Sequence, residues 1–212
     1  SSHLSLSKLM AHPVDHIRQY LDITPEMENS LRSIMTERHF RRGEKFEGIH
    51  ALRNLAFYIR KGSTRTFYHR VGRAHTCSFS FDDEFVTMPF SLLIHDPNAI
   101  VTVEFLENTE LIFMPIDDTR KLIQTYGNEH MAVVASYVIS TLFEQYQTIE
   151  ERMLVLQSLS ASERYSWLIN RYPKILERAT ITQIASYLGV TKETLYRIRS
   201  GKYGQSSQIA SK

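Results

Sequence analysis

From Asn128 to Gln157 the chain contains neither proline nor glycine, whereas the stretch before it is repeatedly cut by both. An uninterrupted run of that length reads as one long helix. Ala135, Leu142, Ile149 and Leu156 fall on one heptad line, and a companion line, Met131, Val138, Gln145 and Arg152, is apolar only in its first half. A helix with such a seam packs against a partner helix or against the chain's own β domain. Both fit if the first turns lie on the β domain and the later ones on a second subunit.

The texture on either side of that helix differs. Residues 39–114 hold short runs rich in β-branched and aromatic residues: LAFYIR, TRTFYH, TCSFSF, AIVTVEF and ELIFM. Gly43, Gly48, Gly62, Gly72 and the Asp96-Pro97 turn separate them at the spacing of an antiparallel β-sandwich or barrel. Alternation in TCSFSF puts Cys77, Phe79 and Phe81 on one face. Ahead of the strands, residues 13–38 read as one or two short helices, with Thr24-Pro25-Glu26 as a start signal. Behind the long helix, Ser160 and Glu163 form a capping box that opens a helix running to Arg171-Tyr172, with Tyr165, Trp167, Leu168 and Ile169 among its apolar positions. Pro173 ends it, and KILERA follows as a linker. The expected fold is α+β, divided into N-terminal helices and a β domain (1–120), a dimerisation helix region (121–158) and an all-α C-terminal unit (159–212).

That last unit carries the functional signal. TITQIASYLGVTKETLYRIRSG reads as a helix-turn-helix. Thr180 and Gln183 form a capping box for the first helix; Ile184, Ala185 and Leu188 face inward, and Ala185 is small because the second helix crosses close by. Gly189 suits a turn that needs positive φ. Val190, Leu195 and Ile198 bury the inner face of the second helix, leaving Thr191, Lys192, Glu193, Tyr196, Arg197 and Arg199 outside. In a major groove Lys192 can donate to guanine, Glu193 can accept from cytosine, and Arg197 can reach a base edge or a phosphate. Thr180 and Thr194 suit phosphates.

Charge agrees with this. Residues 1–150 carry 15 Lys/Arg against 19 Asp/Glu, whereas 151–212 carry 10 against 4. A basic module beside a mildly acidic one points to nucleic acid. A single cysteine, Cys77, excludes an internal disulfide framework and a four-cysteine iron–sulfur site within one chain. With no apolar run approaching a membrane span, and no apolar stretch in the polar start SSHLSLSK, the expected location is the cytoplasm.

A β domain, long helix and helix-turn-helix in that order resemble the Crp/Fnr superfamily of bacterial transcription regulators. ASYLGVTKETLYRIR and the FRRGEKF…LAFYIRKGSTRTFYH pattern carry the likeness, which covers nearly the full length. The resemblance implies a cyclic-nucleotide-binding-like jelly-roll sensor domain and a homodimer on palindromic double-stranded DNA. It implies a contact with RNA polymerase, base-reading roles for Lys192, Glu193 and Arg197, and a phosphate contact for Thr180. Neither an enzyme nor a membrane protein is expected.

Two departures from that pattern bear on function. Cyclic-nucleotide-binding members carry Phe-x-Gly-Glu followed nine residues later by Arg-Ser or Arg-Thr. Aligned without gaps from Phe85, this chain has Thr87-Met88 and Asn98-Ala99 there, and FVTMPFSLLIHDPNAIV contains no glycine and no arginine. The cassette is degenerate, so the expectation is no cofactor and either a more apolar small-molecule effector or none. Six residues separate Pro173 from Thr180 and 13 follow Arg199, so the wing strands that flank the helix-turn-helix are expected to be reduced or missing.

Three other readings remain at this point. A cupin-like metalloenzyme would need clustered histidines, and all nine lie before residue 131 without a His-x-His or His-Glu-x-x-His spacing. A haem-sensing regulator could use His75 and Cys77, two apart on an expected strand. An interaction module that has lost DNA binding would still keep the fold.

Overall fold

The computed structural model describes residues 12–19, 22–47, 54–89, 95–96 and 99–201. Strands fall in two four-stranded sheets, and every pairing is antiparallel. The first runs β1 (Thr36–Phe40), β8 (Thr109–Pro115), β3 (Leu55–Lys61), β6 (Glu84–Phe85); the second runs β2 (Lys45–Phe46), β7 (Val101–Phe105), β4 (Thr64–Arg70), β5 (Arg73–Ser80). Sequence neighbours mostly lie in different sheets, which makes the sandwich a jelly roll. At Gly62 the chain turns from β3 into β4 with φ +117°, and an added Cβ would sit 2.8 Å from Thr109 Cα. Only glycine fits there.

Phenylalanines fill the space between the sheets. Phe40 stacks on Phe105 at 4.0 Å between centroids, and Phe57 meets Phe113 edge-on at 5.1 Å. Phe46 and Met88 close the same cluster. The outer face of the first sheet is covered by α1 (Pro13–Arg18), α2 (Pro25–Ile34), α3 (Ile116–Thr125) and the start of α4 (Asn128–Ser158), around the buried Tyr58 and Ile112. Thr24 caps α2 with Pro25 at its first position, as the start signal implied. Strand β1 begins at Thr36, inside the region read as helical, because TERHF pairs along β8. Cys77 is the extra residue of a β-bulge, where the register jumps from Thr66–Ser78 to Phe67–Thr76. Phe79 and Phe81 keep one face, but the bulge takes Cys77 out of strict alternation.

The long helix corrects the expected seam. Leu142 and Ile149 are exposed, and so is Val138 of the companion line, but the later members of that line turn inward: Gln145 bonds Thr87, and Arg152 reaches into the β domain. The exposed apolar stripe instead pairs the Ala135/Leu142/Ile149 line with Ile139, Tyr146 and Met153, at alternating steps of four and three. Leu156, the last member of the expected line, is half-buried beside Gly189. Met131 and Val134 pack on the β domain.

Candidate nucleic-acid interface

Leu159 alone separates α4 from Ser160, the N-cap of α5 (Ala161–Arg171), whose capping box with Glu163 is closed from both sides. KILERA, read as a linker, contains the single helical turn α6 (Ile175–Arg178). The helix-turn-helix follows as α7 (Ile181–Leu188) and α8 (Lys192–Arg199). Gly189 has φ +66°, and the N–H groups of Gly189 and Val190 both donate to Ala185 O, ending α7 in a Schellman-type turn. Ile184, Ala185, Leu188 and Leu195 are buried, while Val190 and Ile198 are half-buried against them.

The outer side of α8 is open. Lys192 and Glu193 have side chains 59% and 65% exposed, 4.0 Å apart, a surface pair that costs little to separate. Tyr196, Arg197 and Arg199 are exposed, and Arg197 leans on Thr194 Oγ1 at 3.4 Å. Thr191 is the N-cap of α8: its hydroxyl accepts from Thr194 N at 3.1 Å, so it serves the helix first. Thr180, exposed, accepts from Gln183 N at 3.3 Å and keeps its hydroxyl proton free to donate. The first turn of α8 therefore presents a lysine and a glutamate, one of each charge, at the exposed end of a helix whose Thr194 N–H is already capped by Thr191.

No protein-family model matches the sequence, and no curated protein matches it. Solved structures do. The c-di-GMP responsive global regulator CLP of Xanthomonas campestris superposes with a TM-score of 0.64 at 14% identity, covering 88% of this chain and 94% of that one. A protein of Eubacterium rectale described as a transcriptional regulator of the Crp/Fnr family gives 0.63 at 18% identity over 90% and 86%. A cyclic nucleotide-binding domain containing protein of Listeria monocytogenes gives 0.62 at 13% over 90% of each chain. The chain has the Crp/Fnr fold.

Within the Crp/Fnr fold, the degenerate cassette divides between two faces. Met88 packs into the jelly-roll core, whereas Thr87, next to it, points outward and its hydroxyl bonds Gln145 Oε1 on α4. Ala99 is half-buried and donates its N–H to Asp96 O; Asn98 lies outside the described residues. Of the expected wing, residues 173–179 hold a helical turn, and those after 201 lie outside the described residues. His75 stacks on Tyr68 at 5.2 Å, and burial pushes the Cys77 thiol up to about 11, so it stays protonated at neutral pH.

Reading the sequence missed what the basic residues of 151–212 do. Arg152 donates to Tyr187 O at 2.8 Å and Thr76 O at 3.1 Å, and lies over the Tyr187 ring. Arg164 donates to Leu156 O, Leu159 O and Leu188 O, closing the ends of two helices at once. Arg178 pairs with Asp82 and Glu107. These three count toward the basic balance of residues 151–212 yet join the C-terminal unit, α4 and the β domain to one another. Ser186 adds to the joint by bonding Thr76 N and Ala74 O, and Gln183 by bonding Glu104. Phe79 and Leu106 of the β domain share a core with Leu168, Ile184 and Tyr187. Serine and arginine at these positions carried no signal, since their partners are backbone groups or carboxylates brought near only by the fold.

Proposed function

We propose that the chain is a homodimeric, sequence-specific DNA-binding transcription regulator of the Crp/Fnr type that is not controlled by cyclic AMP or cyclic GMP. The observation that carries this reading is α8: its inner side is packed, and Lys192, Glu193 and Arg197 lie exposed on its outer side, held only by surface contacts with one another and with Thr194. A two-fold dimer would offer two such helices to half-sites one helical turn, ~34 Å, apart. Selection of bound sequences from random duplex DNA tests it. The expected result is a palindrome, with Lys192→Ala and Arg197→Ala each costing about 1–3 kcal/mol on that site and less on other sequences. Affinity should fall with added salt. Failure to enrich any sequence overturns the reading.

Independence from cyclic nucleotides rests on the jelly-roll core. Phe40, Phe46, Phe57, Phe105, Phe113 and Met88 occupy it, and neither Thr87 nor Met88 offers a charge for a cyclic phosphate. An unpaired buried charge costs several kcal/mol. Calorimetry with millimolar cyclic AMP should show no binding heat; saturable binding at micromolar concentration would sink this part of the proposal.

A further inference from the structure

The described residues border a partly open cavity of about 650 Å³ that the DNA-binding reading does not use. It lies on the outer face of the first sheet, between the β6 edge, the middle of α4 and the end of α5. Alternation along 85–88 separates it from the cassette core: Val86 and Met88 point inward, whereas Phe85 and Thr87 line the cavity. The volume suits a small molecule.

Its lining has one dominant sign. Asp83, Glu84, Glu144 and Glu151 contribute carboxylates, against Arg171 as the lysine-or-arginine side chain of the wall. Arg171 is engaged with Glu151 at 3.7 Å and lies over the Tyr172 ring at 5.2 Å. His16 also lines the wall, and burial lowers its pKa, which favours the uncharged ring. Among the described residues no lysine or arginine forms an ion pair with Asp83, Glu84 or Glu144. Asp83 is held in place: its N–H donates to Ile59 O at 2.8 Å, its carboxylate accepts from Tyr58 Oη at 3.2 Å, and Tyr58 meets His16 Nε2 at 2.8 Å. Burial raises the Asp83 pKa, the direction that an added cation would reverse.

Aromatic rings complete the wall. Tyr58, Phe85, Tyr137 and Tyr172 border the same space, and Phe85 meets Tyr58 edge-on at 5.3 Å. Carboxylates for charge and ring faces for the body are what an organic cation needs. An anion would meet mostly like charge.

We propose that this cavity is a binding site for a small organic ammonium ion, held by Asp83 and Glu144 and flanked by the tyrosine rings. Because Arg171 and Tyr172 belong to the DNA-binding unit and the other walls do not, an occupant touches both parts of the chain. Any regulatory role of the ligand rests on the DNA-binding reading; the site itself does not.

The test uses the full chain, titrated by nuclear magnetic resonance and calorimetry with benzylammonium and benzyltrimethylammonium, and with benzyl alcohol and benzoate as size-matched controls. The expected result is saturable binding of the cations, roughly tenfold tighter than either control. Asp83→Asn and Glu144→Gln should each remove most of that preference. Glu144→Gln, at an exposed helix position, keeps the test valid if Asp83→Asn fails to fold. No binding of either cation at about 10 mM, or equal binding of benzoate, overturns the site. Specific DNA binding by a chain that takes no cation would sink the site alone; cation binding by a chain that takes no DNA would sink the regulator alone.

Discussion

Replacing Leu142 with glutamate should split the proposed dimer. Leu142 is 60% exposed in the single chain, among Ile139 at 66%, Tyr146 at 58% and Ile149 at 56%. Complete burial of a leucine side chain is worth about 1.5–3 kcal/mol, so covering the exposed share contributes roughly 1–2 kcal/mol per protomer. Two-fold symmetry counts it twice, giving about 2–4 kcal/mol per dimer, or roughly 30- to 850-fold in the dissociation constant. Glutamate loses that burial and also places a carboxylate against its symmetry mate, so the leucine term is a lower bound. Sedimentation equilibrium over a range of concentrations reads the constant directly. Ser136→Glu is the control: it puts the same charge on an exposed turn of α4, about 120° round from Leu142 by helical geometry. If Leu142→Glu sediments like the parent, or Ser136→Glu is as disruptive, this stripe is not the dimer seam.

Two glycines should separate by mechanism. Gly189→Ala meets no closer atom than Leu156 Cδ2 at 3.7 Å, so its cost is the left-handed backbone alone, roughly 1–2 kcal/mol. Gly62→Ala adds the clash with Thr109 and should lower the melting temperature much further; equal losses would refute that ordering. His12 caps α1 by accepting from Val14 N at 3.2 Å, and burial together with the Arg32 charge lowers its pKa from 6.5 to about 4. The folded state prefers the neutral ring, so the stabilisation is complete above pH 6.5 and declines as pH falls toward about 4. His12→Asn keeps a capping acceptor that does not titrate, so its melting temperature should fall less steeply over that window. Identical slopes would show that His12 is not the group responsible.

The parts of the fold that were legible in the sequence are those fixed by neighbours in the chain. Thr180 with Gln183, the positive φ of Gly189 and the burial of Leu195 all follow from spacings of a few residues, and each reappears in α7 and α8. The extent of α4 followed from the absence of helix breakers. Which face of α4 meets what did not, because a heptad pattern marks a line on a helix but not its direction in the fold. Gln145 and Arg152 looked like polar interruptions of a dimer seam; they are the contacts with the β domain. The helical reading of Thr36–Arg38 failed for a related reason, since β8 supplies a ladder that local propensity cannot anticipate. The cavity was invisible because His16, Asp83, Glu144 and Tyr172 come together only through tertiary packing.

One helix carries three separate tasks, and a turn of 100° per residue lets it do so. Leu142, Tyr146 and Ile149 face away from the chain, Gln145 and Arg152 face the β domain, and the last turns meet the helix-turn-helix. Two arginines join these faces. Arg152 bonds Thr76 O and Tyr187 O with one guanidinium, so moving α4 against either partner strains both bonds. Arg164 holds the Leu156, Leu159 and Leu188 carbonyls together, so α7 is fixed to the end of α4 and does not hang from a flexible linker. Hydrogen bonds from a charged donor contribute about 1.5–3 kcal/mol each. In a dimer built on the α4 stripe these clamps would fix the separation of the two α8 helices, so that, on the proposed DNA-binding reading, half-site spacing would follow from helix packing and base choice from the side chains of α8.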